Sequence, residues 1–244
     1  MVRYDADVYR DDWTIEDEEK VPQSRGHLLR EERVAGLLKA WAAREHRNVQ
    51  VGQELALRWD ESHPRVGVDP DVYVVEPPPP EGDEVMSLRT WETGHNPPLL
   101  AIEIVSPSRP NKDYEASPDK YAAAGVYELW VFDPHMIGRA RGGPFRLQVW
   151  RRDGEGNFDR VYKGEGPAYS KVVSAWIFAT NEGRRLGIAD DEAGTTWWMT
   201  PEEEERAAKE KERAAKEQAL AEKDALARRV AELEAQLAGR KPAT

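Results

Sequence analysis

Residues 99–110, LLAIEIVSPSRP, decide how the rest of the chain is read. The first seven are almost continuously apolar, the composition of a central strand covered on both faces. One carboxylate, Glu103, stands in the middle, and a Ser-Pro-Ser turn follows it. Taking a bare charge out of water costs on the order of several kcal/mol unless a partner, a proton or a bound cation compensates. Glu103 therefore needs such a neighbour.

A candidate lies 32 residues upstream, in the run DVYVV at 71–75, which follows Pro70 and is stopped by Pro77–Pro80. Side chains alternate along a strand, so Asp71, Tyr73 and Val75 share one face, as do Ala101, Glu103 and Val105. If the two strands are neighbours, Asp71 and Glu103 converge. Paired carboxylates suit a hard divalent cation: Mg²⁺ takes one or two of them with a backbone carbonyl and waters, leaving positions for a phosphate. The structural alternative is that Asp71 caps the turn after Pro70 and Glu103 pairs with an arginine.

The elements around these strands suggest an α/β domain. From Ser24 to about Arg47, Leu28, Val34, Leu37, Leu38 and Trp41 recur at helical spacing. VQVGQELALRW, 49–59, alternates like a half-buried strand, and 77–97 reads as a long loop. After Glu103, Ser117 and Pro118 begin a helix that Gly125 can stop. YELWVFD at 127–133 is another buried strand, and FRLQVWRR, FDRVYKG and YSKVVSAWIF extend a meander. This predicts the order helix, strand, strand, strand, helix, strand.

Three segments are expected: an acidic arm over 1–23, the α/β domain over 24–200, and a charged helical tail over 201–244. The tail has neither Pro nor Gly from Glu202 to Ala238, and Leu226, Val230, Leu233 and Leu237 follow a coiled-coil spacing that the preceding heptad does not sustain. It is either a pairing helix, which would make a homodimer, or a solvated single helix carrying close opposite charges.

The 244 residues contain no cysteine, which excludes disulfides and thiolate metal sites. Without a leader-like start or a segment of about 20 apolar residues, the expectation is a soluble cytoplasmic protein with no membrane partner. The formal net charge is -11, while the stretch 202–244 carries 11 acidic and 10 basic residues, so the excess negative charge sits in the body. That excludes a general polyanion binder, and any nucleic-acid contact must use local basic patches or bound cations. Arg109 and Lys112 flank the acidic pair, and residues 135–152 hold Arg139, Arg141, Arg146, Arg151 and Arg152 with one acid-free surface in prospect.

The ordered set PDVYVV, IEIVSPS, Asp113, KYAAAGVYELWVFDP and RLGIADDEAGTTWWMTPEEE resembles the Uma-two family of restriction-endonuclease-type proteins, within the PD-(D/E)xK nuclease superfamily. The likeness spans roughly 24–205. It implies a restriction-endonuclease-like mixed central sheet flanked by helices, in which Asp71, Glu103 and the carbonyl of Ile104 bind Mg²⁺ (or Mn²⁺) and a metal-activated water cleaves DNA. The superfamily lysine, two residues after the Glu, is here Val105. The family's alternative position, four before the helical tyrosine Tyr121, is Ser117. Lys120, one turn further along the same helix face, is the substitute.

Second-tier candidates are Glu31 and Glu54, as an added ligand or water-orienting group; His27, at a position where the family often has histidine; and Asp113, which would hold the loop or helix start. The departures at Val105 and Ser117 leave an alternative open, a weakened nuclease fold that binds nucleic acid or protein without cleaving.

Overall fold

The computed structural model describes residues 13–14, 24–107, 114, 117–138 and 143–238. It forms two compact units, 1–198 and 199–244, each taken by itself. Most of the acidic arm lies outside the described residues, as do Arg109, Lys112, Asp113, Arg139 and Arg141.

Helix α1 (Arg25–Arg44) begins where the Ser24 hydroxyl accepts the His27 N–H at 3.2 Å, a side-chain N-cap that satisfies one of the helix's open donors. Its buried stripe is His27, Glu31, Val34, Ala35, Leu37, Leu38 and Trp41. The expected stripe placed Leu28 inward; Leu28 is instead 41% exposed, and His27 takes the inward position. Two polar side chains thus continue an apolar face, which is the first structural sign of a site.

The strands are β1 (Gln50–Gly52), β2 (Ala56–Arg58), β3 (Val72–Val75), β4 (Ser87–Arg89), β5 (Leu100–Ile104), β6 (Glu128–Phe132), β7 (Leu147–Arg152), β8 (Phe158–Gly164), β9 (Ala168–Ser170), β10 (Ala175–Thr180) and β11 (Arg185–Ala189). Six form one mixed sheet in the order β1-β3-β5-β6-β7-β8. β3 runs antiparallel to β5, with Val72 opposite Ile102 and Tyr73 opposite Ala101. β5 and β6 are parallel, joined over the sheet by a crossover containing α2 (Ser117–Ala123).

The burial of β5 and β6 on both faces follows from what covers them. On one face Val72, Val74, Leu100, Ile102 and Ile104 pack with the α1 stripe and with Ile177, Leu186 and Ile188 of a three-stranded sheet, β11-β10-β9. On the other, Tyr73, Val75, Ala101, Val105, Leu129 and Val131 pack with Tyr121 and Ala122 of α2. Val105, where the superfamily lysine would stand, is fully buried in this second core.

Several expectations are corrected. The single strand over 49–59 is two strands: Glu54 adopts a left-handed φ of 50° between them, and β2 leaves the main sheet to pair in parallel with β4. β4 lies within the stretch expected to be loop only. The run YSKVVSAWIF is likewise split into β9 and β10 by a turn in which Ser174 has φ 52°. β11, in RLGIA, was not anticipated at all.

The second unit is dominated by α3 (Pro201–Ala238), 38 residues long. At 1.5 Å per residue it extends about 57 Å. Pairs at i,i+4 such as Glu205–Lys209 and Arg213–Glu217 line its surface, and Leu226, Val230 and Leu233 are exposed.

Candidate metal centre

The β3–β5 register ends with Val72 opposite Ile102; extended by one residue it would set Asp71, just before β3, against Glu103. Opposed residues of antiparallel strands have Cβ atoms about 4.5–5.5 Å apart and point to the same face. The Asp71 carboxylate turns to His27 of α1, whereas Glu103 is held by Tyr121 and Ser117 of α2 on the other face of the sheet. Asp71 Oδ2 accepts the backbone N–H of Ile104 at 2.5 Å, so a side chain continues the ladder where β3 has not yet begun.

The carboxylate also meets α1. His27 Nε2 lies 2.7 Å from Glu31 Oε1 and 3.5 Å from Asp71 Oδ2. One ligand atom from each of His27, Glu31 and Asp71 lies within 4.8 Å of the other two, an arrangement able to hold a metal ion. Helical spacing places His27 and Glu31 one turn apart on the same face, and the Ser24 cap fixes where that face starts.

The electrostatics are those of a tight acid–base cluster. Burial alone lowers the His27 pKa, but hydrogen bonding and charge from Asp71 and Glu31 outweigh it and raise it from 6.5 to about 10. Burial pushes Glu31 above the usual carboxylate range, helped by Asp71 and Glu54 and opposed by His27. Glu31 Oε1 is buried and has His27 Nε2 beside it at 2.7 Å.

Glu103 stands outside the trio. It is 2% exposed, and its Oε1 accepts the Tyr121 hydroxyl at 2.6 Å and faces the Ser117 hydroxyl at 3.5 Å. These donors, brought by α2, are part of what compensates the carboxylate in the apolar strand. Ser117 thus points its hydroxyl at Glu103, beyond the helix-starting role expected of it. Lys120 is 8% exposed and projects from the helix face that carries Ser117 and Tyr121. Glu54 is exposed in the β1–β2 bend, yet close enough to raise the Glu31 pKa.

A second cluster, Glu81, Glu92 and His95, is of a different kind. His95 Nδ1 accepts the Arg89 N–H at 3.0 Å, which puts the ring proton on Nε2, 3.0 Å from Glu81 Oε2. A protonated Nε2 cannot ligate, so this histidine latches the 77–97 segment.

Among the expected basic contacts, Arg151 is committed to Glu128 at 2.7 Å, and Arg152 donates to the carbonyls of Val126, Ala122 and Gly156. They bind the protein itself. Sequence reasoning missed a group of arginines on α1 and the β10–β11 hairpin, because those segments are about 150 residues apart in the chain (Arg30 to Arg184, 154 residues).

Fold and cluster together define a mixed α/β domain with acidic side chains gathered at one end of its central sheet. The sequence profile of the Uma2 family, described as "Putative restriction endonuclease", matches residues 15–156, more than half of the chain, and the chain belongs to that family. A solved structure from Anabaena variabilis, of a protein described as a "putative nuclease belonging to DUF820", aligns with a TM-score of 0.43 and 14% identity over 64% of this chain and 76% of that one. A comparison with curated proteins found no match. Among the described residues, no helix is long and apolar enough to cross a membrane.

Proposed function

We propose that the protein is a divalent-metal-dependent endonuclease that hydrolyses DNA phosphodiester bonds. The observation that supports this reading is the cluster of His27, Glu31 and Asp71, one ligand atom of each within 4.8 Å of the others, with Asp71 fastened to Ile104 next to Glu103. Family membership supports the reaction class.

In this reading Asp71, Glu103 and the Ile104 carbonyl hold Mg²⁺ or Mn²⁺, and Glu31 and His27 complete or brace the shell. A bound ion of this kind supplies Lewis acidity, lowering the pKa of a water and offsetting phosphate charge. Ile104 N–H holds Asp71 in place, and Tyr121 and Ser117 hold Glu103. Lys120 orients the attacking water and offers positive charge to the phosphate oxygens, the task that Val105 cannot perform. Incubating supercoiled plasmid with Mg²⁺, Mn²⁺ or a chelator tests the reading: metal-dependent nicking supports it, and a complete lack of cleavage with either ion overturns it.

The burial of Val105 at the superfamily lysine position favours a second reading, a fold that binds nucleic acid or protein without cutting it. Calorimetry separates the two, since that module gives no heat with either ion. Exposed Leu226, Val230 and Leu233 support pairing of two α3 helices into a homodimer; removing residues 201–244 then halves the mass in solution, and an unchanged oligomeric state refutes it.

A further inference from the structure

A cleft of about 350 Å³ runs between α1 and the β10–β11 hairpin, lined by Arg30, Arg33, Arg184 and Arg185 with Phe132 and Asn181 among its neighbours. Its lining contains no carboxylate among the described residues, in a chain whose formal net charge is -11. Arg30 Nε donates to the Arg184 carbonyl at 2.9 Å and Arg30 Nη1 to the Gly26 carbonyl at 2.9 Å, while Arg33 Nη1 donates to the Leu186 carbonyl at 2.7 Å. For Arg30, two carbonyls orient the guanidinium without neutralising it. Arg30 Nη2 takes no part in these bonds.

Further cations adjoin. Arg146 donates to the Pro134 and Gly183 carbonyls at 3.0 and 3.3 Å, packing against the hairpin where Gly183 has φ +78° and a side chain would collide with it. Burial, and then the charges of Arg30, Arg184 and Arg146, hold the nearby His135 imidazole below its usual range, with Asp133 opposing them. Like charges are therefore concentrated here.

The position matters as much as the charge. Arg30 neighbours Glu31 and lies three residues from His27 on α1, so one helical turn separates the cleft from the acidic cluster. Phe132, in the cleft lining, is the β6 partner of Ile104, whose N–H holds Asp71. Planar guanidinium groups match the two free oxygens of a phosphodiester, and phosphate contacts of this kind set register on a duplex without reading its sequence.

We propose that this cleft seats a backbone phosphate of duplex DNA adjacent to the phosphate at the acidic cluster. The inference rests on the nuclease reading above. It makes the α1–hairpin cleft an anchoring subsite.

The test is fluorescence anisotropy with a labelled DNA duplex in chelator, where cleavage cannot interfere, over a series of salt concentrations. Arg30→Gln/Arg184→Gln is expected to bind about tenfold more weakly at 0.1 M salt, with the log–log salt slope shallower by about 0.9, the value for one lost phosphate contact. Arg184→Gln alone, at an exposed side chain whose removal leaves the Arg30 bond to its carbonyl, is expected to weaken binding and lose part of that slope, and guards against a folding defect in the double variant. Wild-type affinity and slope in both variants, with the wild type still cutting plasmid, overturn the cleft and leave the nuclease reading standing. A wild type that neither binds nor cuts DNA overturns both.

Discussion

The Asp71 carboxylate accepts the backbone N–H of Ile104 at 2.5 Å, so the acid before β3 is fastened to the strand that carries Glu103. Because His27 and Glu31 lie close to the same carboxylate, this contact joins helix α1 to the end of the central sheet.

Tyr121→Phe removes the 2.6 Å donor from a carboxylate that is 2% exposed. A buried acceptor deprived of a partner costs about 1–3 kcal/mol. The urea midpoint should fall accordingly with the slope unchanged. A midpoint equal to wild type means that Tyr121 does not support Glu103.

In the metal-free protein, folding raises the His27 pKa from 6.5 to about 10. The sign is that of a folded state favouring the charged form. The stability it contributes is full below pH 6.5 and disappears as pH rises through about 10. Denaturant titrations in chelator across that range should show wild type losing stability relative to His27→Gln. Parallel curves for the two proteins refute this.

Glu128 is fully buried, and its oxygens accept from Trp130, Ser170, Arg151 and the Lys171 N–H, fastening β6 to β7 and to the residues around β9. Arg151→Met strands that charge and should cost about 3 kcal/mol. Glu128 faces Leu100, at the opposite end of β5 from Ile104, so the heat of Mn²⁺ binding should not change. Loss of metal binding together with stability contradicts this separation.

Lys120→Met should lower the plasmid-cleavage rate at least about 100-fold, the usual scale for losing a group that assists proton transfer. Lys120→Arg keeps the charge and should retain part of the rate. Equal rates in wild type and Lys120→Met assign the water to another residue.

The compensated burial of Glu103 was legible because a charge in an apolar run conflicts with local packing and so advertises a partner. The buried positions of His27 and Glu31 were half legible. Their i,i+4 spacing is visible, but which of His27 and Leu28 turns inward depends on how α1 sits on Val72 and Ile102. The break at Glu54 was hidden because a left-handed glutamate follows from tertiary context; Gly52, just before it, packs against the Tyr73 ring, where a side chain would clash. Assembly of Arg30 with Arg184 could not be read locally, since only the fold brings α1 to the β10–β11 hairpin.

The central claim meets its most direct test in plasmid cleavage by Asp71→Asn and Glu103→Gln, measured with Mn²⁺ after melting curves have established that each variant is folded. These substitutions keep an acceptor for Ile104 N–H and for Tyr121 while removing the charge that would hold the ion. Both variants should lose cleavage by at least about 100-fold, a barrier increase of about 2.7 kcal/mol. Wild-type cleavage by either one contradicts the shared metal site.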